Sequence, residues 1–85
     1  MTETDLRASL EVLARASGRD AHDLLRCSAV EALALAEAYR DAAAEKDRTD
    51  LDRVTEWLST VTRVAGPAGT ILGAIAAGIG IVVAL

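Results

Sequence analysis

The stretch that decides the architecture runs from Val64 to Leu85 and reads VAGPAGTILGAIAAGIGIVVAL. It contains no charged residue, and Thr70 carries its only polar side chain. At about 1.5 Å per residue, a helix of this length measures about 33 Å, against about 30 Å for the hydrocarbon core of a bilayer. The stretch therefore predicts one C-terminal transmembrane helix over residues 64–85, with the lipid bilayer as its partner.

Large aliphatic side chains supply the free energy for membrane insertion. Each contributes about −0.3 to −0.6 kcal/mol, and together they sum to roughly −3 to −5 kcal/mol. A hinge is expected at Gly66 and Pro67, because proline lacks an amide hydrogen and restricts the residue before it. The aliphatic side chains are those of Val64, Ile71, Leu72, Ile75, Ile79, Ile81, Val82, Val83 and Leu85.

Basic residues upstream of the apolar stretch indicate its orientation. Lys46, Arg48, Arg53 and Arg63 precede it, and cytoplasmic flanks of membrane spans are enriched in such residues. The expected layout is tail-anchored and single-pass, with a cytoplasmic N-terminus. Arg63 and Trp57 are candidates for the membrane interface, although a lone tryptophan can equally pack against neighbouring helices.

Small residues in the apolar stretch follow a helical spacing. Projected at 100° per residue they share one face, with the bulky aliphatics opposite, and residues 69–73 match GxxxG. Helices associate closely in lipid through such faces, so a helix–helix interface is expected with a second copy or another membrane protein. The competing interpretation is that a membrane helix simply tolerates glycine. The predicted interface residues are Gly69, Thr70, Gly73, Ala77, Gly80 and Ala84.

The N-terminal part of the chain shows the apolar spacing of an amphipathic helix. Leu6, Leu10 and Leu13 recur at intervals of four and three residues, which places them on one helical face. Gly18 suits the left-handed conformation that often ends a helix. A first helix is therefore predicted over about 3–17.

Two further helices are predicted before the apolar stretch. Residues 20–46 are rich in alanine, leucine and glutamate and contain no glycine or proline. Residues 50–63 follow a capping pattern that begins at Thr49 and have apolar residues at helical spacing. The predicted fold is all-α, with a helical cytoplasmic head over 1–48 and an amphipathic lead-in helix over 49–63.

Composition argues against several classes of function. The formal net charge is −4 and no cationic stripe is present, so nucleic acid is not expected as a partner. Cys27 is the only cysteine and His22 the only histidine, and no spacing suggests a catalytic or metal-binding group. We expect no enzyme activity, no cofactor, no metal and no small-molecule substrate. Cys27 is expected inside a helix as a small apolar residue.

Three functions remain open at this point. The first is an interaction or assembly role, in which the chain self-associates or docks in a membrane complex through the small-residue face and the helical head. The second is a membrane-permeabilising effector of the holin-like or toxin-like kind, in which several copies of the chain would form a pore. The third is a soluble helical interaction module whose last helix is very apolar.

Overall fold

The computed structural model describes residues 3–77, and this part of the chain contains five helices. Within that range the only strand-like pairing is a single antiparallel bridge, so the predicted all-α class is confirmed. The molecule measures 31 × 25 × 21 Å. The helices are α1 Glu3–Ser17, α2 Ala21–Arg26, α3 Ala29–Arg40, α4 Glu45–Ala65 and α5 Ile71–Ala76.

The first helix has the predicted bounds. Gly18 follows it with a φ of 72°, in the left-handed region that glycine adopts without steric cost. The amide of Arg19 then donates to the carbonyl of Ala14 at 2.9 Å. This pattern of a left-handed glycine and a returning hydrogen bond satisfies carbonyl groups at the helix end.

The predicted single helix over 20–46 is wrong, because the chain breaks into α2 and α3. Cys27 and Ser28 between them are extended, with ψ angles of 165° and 150°. The Ser28 hydroxyl accepts the amide of Glu31 at 3.1 Å, which caps α3 at its first turn. A serine followed three residues later by a glutamate is a signature of a helix start, and at Ser28 it outweighs the helix-forming residues on either side.

The fourth helix is longer at both ends than the predicted range of 50–63. It begins at Glu45 after an extended Ala44 and continues to Ala65. Thr49, the predicted cap, lies inside the helix, where its hydroxyl donates to the Glu45 carbonyl at 3.2 Å.

The core of the bundle surrounds Trp57, which is fully buried on α4. The most extensive helix contacts are those of α4 with α3 and with α1. Alanines on α3 allow close approach, and leucines and valines from α1 and α4 supply most of the apolar area. The core residues are Leu6, Leu10, Val12, Leu13, Ala14, Leu24, Ala29, Ala32, Ala36, Leu51, Val54, Trp57, Leu58, Val61, Ile71 and Ala74.

The predicted continuous helix over 64–85 is interrupted in this structure. Residues 64 and 65 complete α4, residues 66–70 form a turn, and α5 occupies residues 71–76. Among the described helices, none combines the length and apolarity needed to cross a bilayer. Residues 78–85 of the prediction lie outside the described residues.

Candidate functional site

The turn between α4 and α5 depends on glycine at two positions. Gly66 has φ 82° and ψ 175°, a conformation available almost only to glycine, and its amide closes α4 by donating to the Thr62 carbonyl at 3.0 Å. At Gly69, an added Cβ would lie 2.8 Å from the Cβ of Ala65. The hinge predicted at Gly66 and Pro67 therefore coincides with a sharp turn that redirects the chain.

Two backbone hydrogen bonds attach the start of α5 to the joint between α2 and α3. The Ala29 amide donates to the Gly69 carbonyl at 2.9 Å, and the Ile71 amide donates to the Cys27 carbonyl at 3.2 Å. Each donor belongs to the first residue of a helix, where the amide has no partner within the helix. The attachment therefore satisfies two amides that the helices themselves leave open.

Three side chains pack α5 against the bundle of α1–α4, and we use the name head for this whole bundle. Ile71 is fully buried, Ala74 is 2% exposed, and Ile75 is half-buried against the same core. Full burial of an isoleucine stabilises a fold by about 1.5–3 kcal/mol. This is about half of the roughly −3 to −5 kcal/mol that the whole apolar stretch gains by entering lipid.

The exposed residues between Val64 and Ala77 carry no charge. Val64 is 62% exposed and Leu72 is 50% exposed, the two highest values among the exposed large hydrophobic side chains of the described residues. The other exposed residues of 64–77 are small or cyclic. We call this set the C-terminal surface, and it consists of Val64, Ala65, Pro67, Ala68, Leu72, Gly73, Ala76 and Ala77.

Arg63 is adjacent to the C-terminal surface in the chain, and Arg26 is linked to the start of α5 through the backbone pairing. Arg63 is exposed in the last turn of α4, immediately before Val64. Arg26 is exposed in the last turn of α2, and it precedes Cys27, whose carbonyl accepts the Ile71 amide. Basic side chains beside an apolar surface interact favourably with anionic lipid headgroups.

The structure distributes the predicted small-residue interface over different local environments. Gly69 and Thr70 precede α5, and the Thr70 hydroxyl caps it by accepting the Gly73 amide at 2.9 Å. An added Cβ at Gly73 would lie 2.9 Å from that hydroxyl, and Ala77 ends the helix as an exposed residue. The last two members of the set, Gly80 and Ala84, lie outside the described residues.

The two predicted membrane-interface residues have contrasting surroundings. Arg63 is exposed beside the C-terminal surface, where it could reach a headgroup. Trp57 is fully buried, and its indole N–H has no hydrogen-bond partner among residues 3–77. In this fold Trp57 therefore packs against neighbouring helices, and headgroups have no access to it.

An apolar groove of about 540 Å³ lies between α1, α2 and α5. Its walls include Leu72 and Ile75 from α5, so its shape depends on how α5 packs. Polar side chains of α1 and α2 also contribute to it. The lining residues are Leu6, Arg7, Leu10, Glu11, Ala21, His22, Leu25, Leu72 and Ile75.

Cys27 and His22 are the only cysteine and the only histidine of the chain. Cys27 ends α2 instead of lying inside a helix, and its thiol donates to the Leu24 carbonyl at 3.0 Å. Burial raises the pKa of the Cys27 thiol, and the nearby Glu31 carboxylate raises it further. His22 is exposed in the first turn of α2. Within residues 3–77, no three His, Cys, Asp or Glu side chains are grouped to hold a metal ion.

Comparison with protein-family models, with curated proteins and with solved structures gives no match to this chain. The site is therefore defined by its own geometry. It consists of the glycine turn, the packed helix α5 and the uncharged C-terminal surface.

Proposed function

We propose that this protein is a small helical interaction module that attaches to a membrane through its C-terminal surface and the apolar residues 78–85. Once attached, it assembles with a second copy or with another membrane protein, and its head remains on the cytoplasmic side. The observation that carries the proposal is the C-terminal surface, where exposed valine and leucine side chains occur without any charge.

Sequence continuity supports the membrane as the first partner. Residues 78–85 follow the C-terminal surface directly and add Ile79, Ile81, Val82, Val83 and Leu85 without a charge. Contact of such a surface with water raises the free energy of the chain, and contact with lipid tails lowers it. Arg26 and Arg63 would lie at the level of the headgroups.

Vesicle flotation tests membrane attachment. The full chain is mixed with vesicles of phosphatidylcholine and phosphatidylglycerol, and we expect it to float with them. L72E places a charge on the C-terminal surface at a half-exposed position, so it should abolish most of the binding while the head remains folded. The matched control is A34E, which adds the same charge at an exposed position of α3. Equal flotation of L72E, A34E and the unaltered chain would reject the proposal.

Crosslinking in detergent tests assembly. A77I adds bulk to the predicted small-residue face at an exposed position and leaves the Thr70 cap untouched. A68I adds the same bulk at an exposed position that projects to the other side of the predicted helix. We expect a crosslinked oligomer for the unaltered chain and A68I, and its loss in A77I. An oligomer that survives in A77I would exclude the small-residue face as the contact.

A further inference from the structure

We propose that α5 exchanges between two positions: packed against the head in water, and part of a longer membrane helix when the C-terminal segment inserts. The inference rests on the proposed membrane attachment and adds a conformational change to it. Its basis is that Ile71, Ala74 and Ile75 serve both as core residues of the head and as members of the predicted span.

The packed position of α5 excludes a span built from the same residues. A helix over residues 67–85 would measure about 28 Å, close to the hydrocarbon thickness of about 30 Å, and it contains all of α5. Residues 77–85 alone would give a helix of about 14 Å, which is less than half of that thickness. A span through this stretch therefore requires Ile71 to leave the core.

The contacts of α5 suit a detachable element. It touches α2 and α4 less extensively than α4 touches α1 and α3, so the larger part of the core remains when α5 leaves. Fully buried Leu13, Leu58 and Trp57 all belong to that remaining part. Gly66 and Pro67 precede α5 and provide a turn at which the chain can change direction.

When α5 leaves the head for the bilayer, the backbone amides that attach it find other hydrogen-bond acceptors. Within residues 3–77, two backbone hydrogen bonds join its start to the head, those from the Ala29 amide and from the Ile71 amide. Within a longer helix the Ile71 amide would bond to the carbonyl of Pro67, four residues earlier. Ala29 is fully buried in the packed structure, and its amide would bond to water that enters the space left by α5.

Two substitutions on α5 separate exchange from simple lipid affinity. I71A and L72A remove similar apolar groups from the predicted span, so they weaken insertion by similar factors. Ile71 is fully buried in the head and Leu72 is half-exposed, so I71A weakens the packed position much more than L72A does. We expect I71A to bind vesicles of phosphatidylcholine and phosphatidylglycerol at least about 10-fold more tightly than L72A.

General unfolding of the head is distinguished by L13A, which removes a fully buried side chain of α1. If α5 alone is released, L13A should bind vesicles more weakly than I71A. Equal enhancement in L13A and I71A would show that the whole head must unfold, which would overturn the exchange. Circular dichroism of both variants in water reports whether the head is folded before lipid is added.

A reversible disulfide tests the same step by comparing the oxidised and reduced forms of one variant. Ser28 and Thr70 face each other in an antiparallel bridge at which the hydrogen bonds join the flanking residues. Such pairs have Cα atoms about 4.5 Å apart, within the range that a disulfide spans. The variant is S28C/T70C on a C27S background, which leaves no other cysteine.

The oxidised variant keeps the start of α5 on the head and leaves residues 71–85, about 22 Å of helix, for the bilayer. We expect oxidation to weaken vesicle binding at least about 10-fold and reduction to restore it. Binding that is insensitive to oxidation and equal in I71A and L72A would overturn the exchange while leaving membrane attachment intact. Failure of the unaltered chain, I71A and the reduced variant to bind any vesicles would reject membrane attachment and the exchange together.

Discussion

Ser28 and Thr70 form an antiparallel backbone pair, and each is also the N-cap of the helix that follows it. Ser28 accepts the Glu31 amide at 3.1 Å, and Thr70 accepts the Gly73 amide at 2.9 Å. The starts of α3 and α5 are therefore joined through one pair of residues. This arrangement explains how a segment that resembles a membrane span in composition becomes a part of the head.

Removing the cap of α3 should destabilise the head. S28A eliminates the acceptor for the Glu31 amide, and loss of a serine cap costs about 1 kcal/mol in the free energy of unfolding. Urea denaturation in water measures this cost. S59A, at an exposed position within α4, should be neutral or slightly stabilising because alanine favours helix. Equal effects of the two substitutions would contradict the capping role of Ser28.

The turn before α5 should tolerate alanine poorly. G66A forces a side chain into φ 82° and ψ 175°, and residues held in such regions cost about 1–3 kcal/mol. G18A provides a comparison at φ 72°, where the left-handed helical conformation costs about 1–2 kcal/mol. Neither position has a neighbouring atom within 4 Å of the added Cβ, so the backbone alone determines both costs. Thermal denaturation that shows no effect of G66A would mean that the turn has another conformation.

Truncation at the centre of the core should have the largest effect on stability. W57A removes a fully buried indole and should cost about 3–5 kcal/mol, whereas Y39A, at a side chain 37% exposed, should cost much less. W57F should cost less than W57A because it leaves a smaller cavity, and both substitutions remove the indole N–H that has no partner within residues 3–77. Since Trp57 is the only tryptophan, its fluorescence should also resist quenching by acrylamide in water. Rapid quenching in the folded chain would contradict its burial.

The thiol of Cys27 should make stability depend on pH in the alkaline range. Burial and then Glu31 raise the pKa of the folded thiol above its unfolded value of about 8.5. The unfolded state releases its proton first, so the free energy of unfolding should fall as pH rises from about 8.5 to the higher folded pKa. Below about 8.5 both states hold the proton, and this contribution is constant.

The control for this pH dependence is C27A, which has no titrating group at the position. Urea denaturation at several pH values should show a steeper alkaline decline for the unaltered chain than for C27A. Parallel declines would indicate that the folded thiol is not perturbed. The thiol should also react slowly with a disulfide reagent at neutral pH, because the thiolate is the nucleophile.

The bounds of α1 followed from the sequence because two independent signals agreed. Leucines at Leu6, Leu10 and Leu13 define one apolar face, and Gly18 marks the end of the helix. In the next segment the abundance of helix-forming residues concealed the cap at Ser28. A capping signal depends on a single hydrogen bond, and a pattern based on composition does not register it.

The position of α5 could not follow from hydropathy. An isoleucine such as Ile71 is suited equally to a lipid environment and to a protein core, since both exclude water from it. Hydropathy registers that the residues from Val64 onwards are uncharged. It does not register that Ile71, Ala74 and Ile75 can pack against other helices of the same chain. The local signals that separate these residues are Gly66, whose conformation ends α4, and Thr70, whose hydroxyl starts α5.

Amide hydrogen exchange at Ala29 tests most directly whether α5 leaves the head when the chain binds a membrane. Its amide begins α3, lacks a partner within that helix, and donates to the Gly69 carbonyl at 2.9 Å, so its protection reports on the attachment of α5 alone. We predict that this amide is protected in water and exchanges rapidly once the chain has bound vesicles, while Leu58 in α4 stays protected in both conditions. An unprotected Ala29 amide in water would contradict the packed position of α5. Equal protection of this amide in water and in vesicle-bound protein would contradict the exchange.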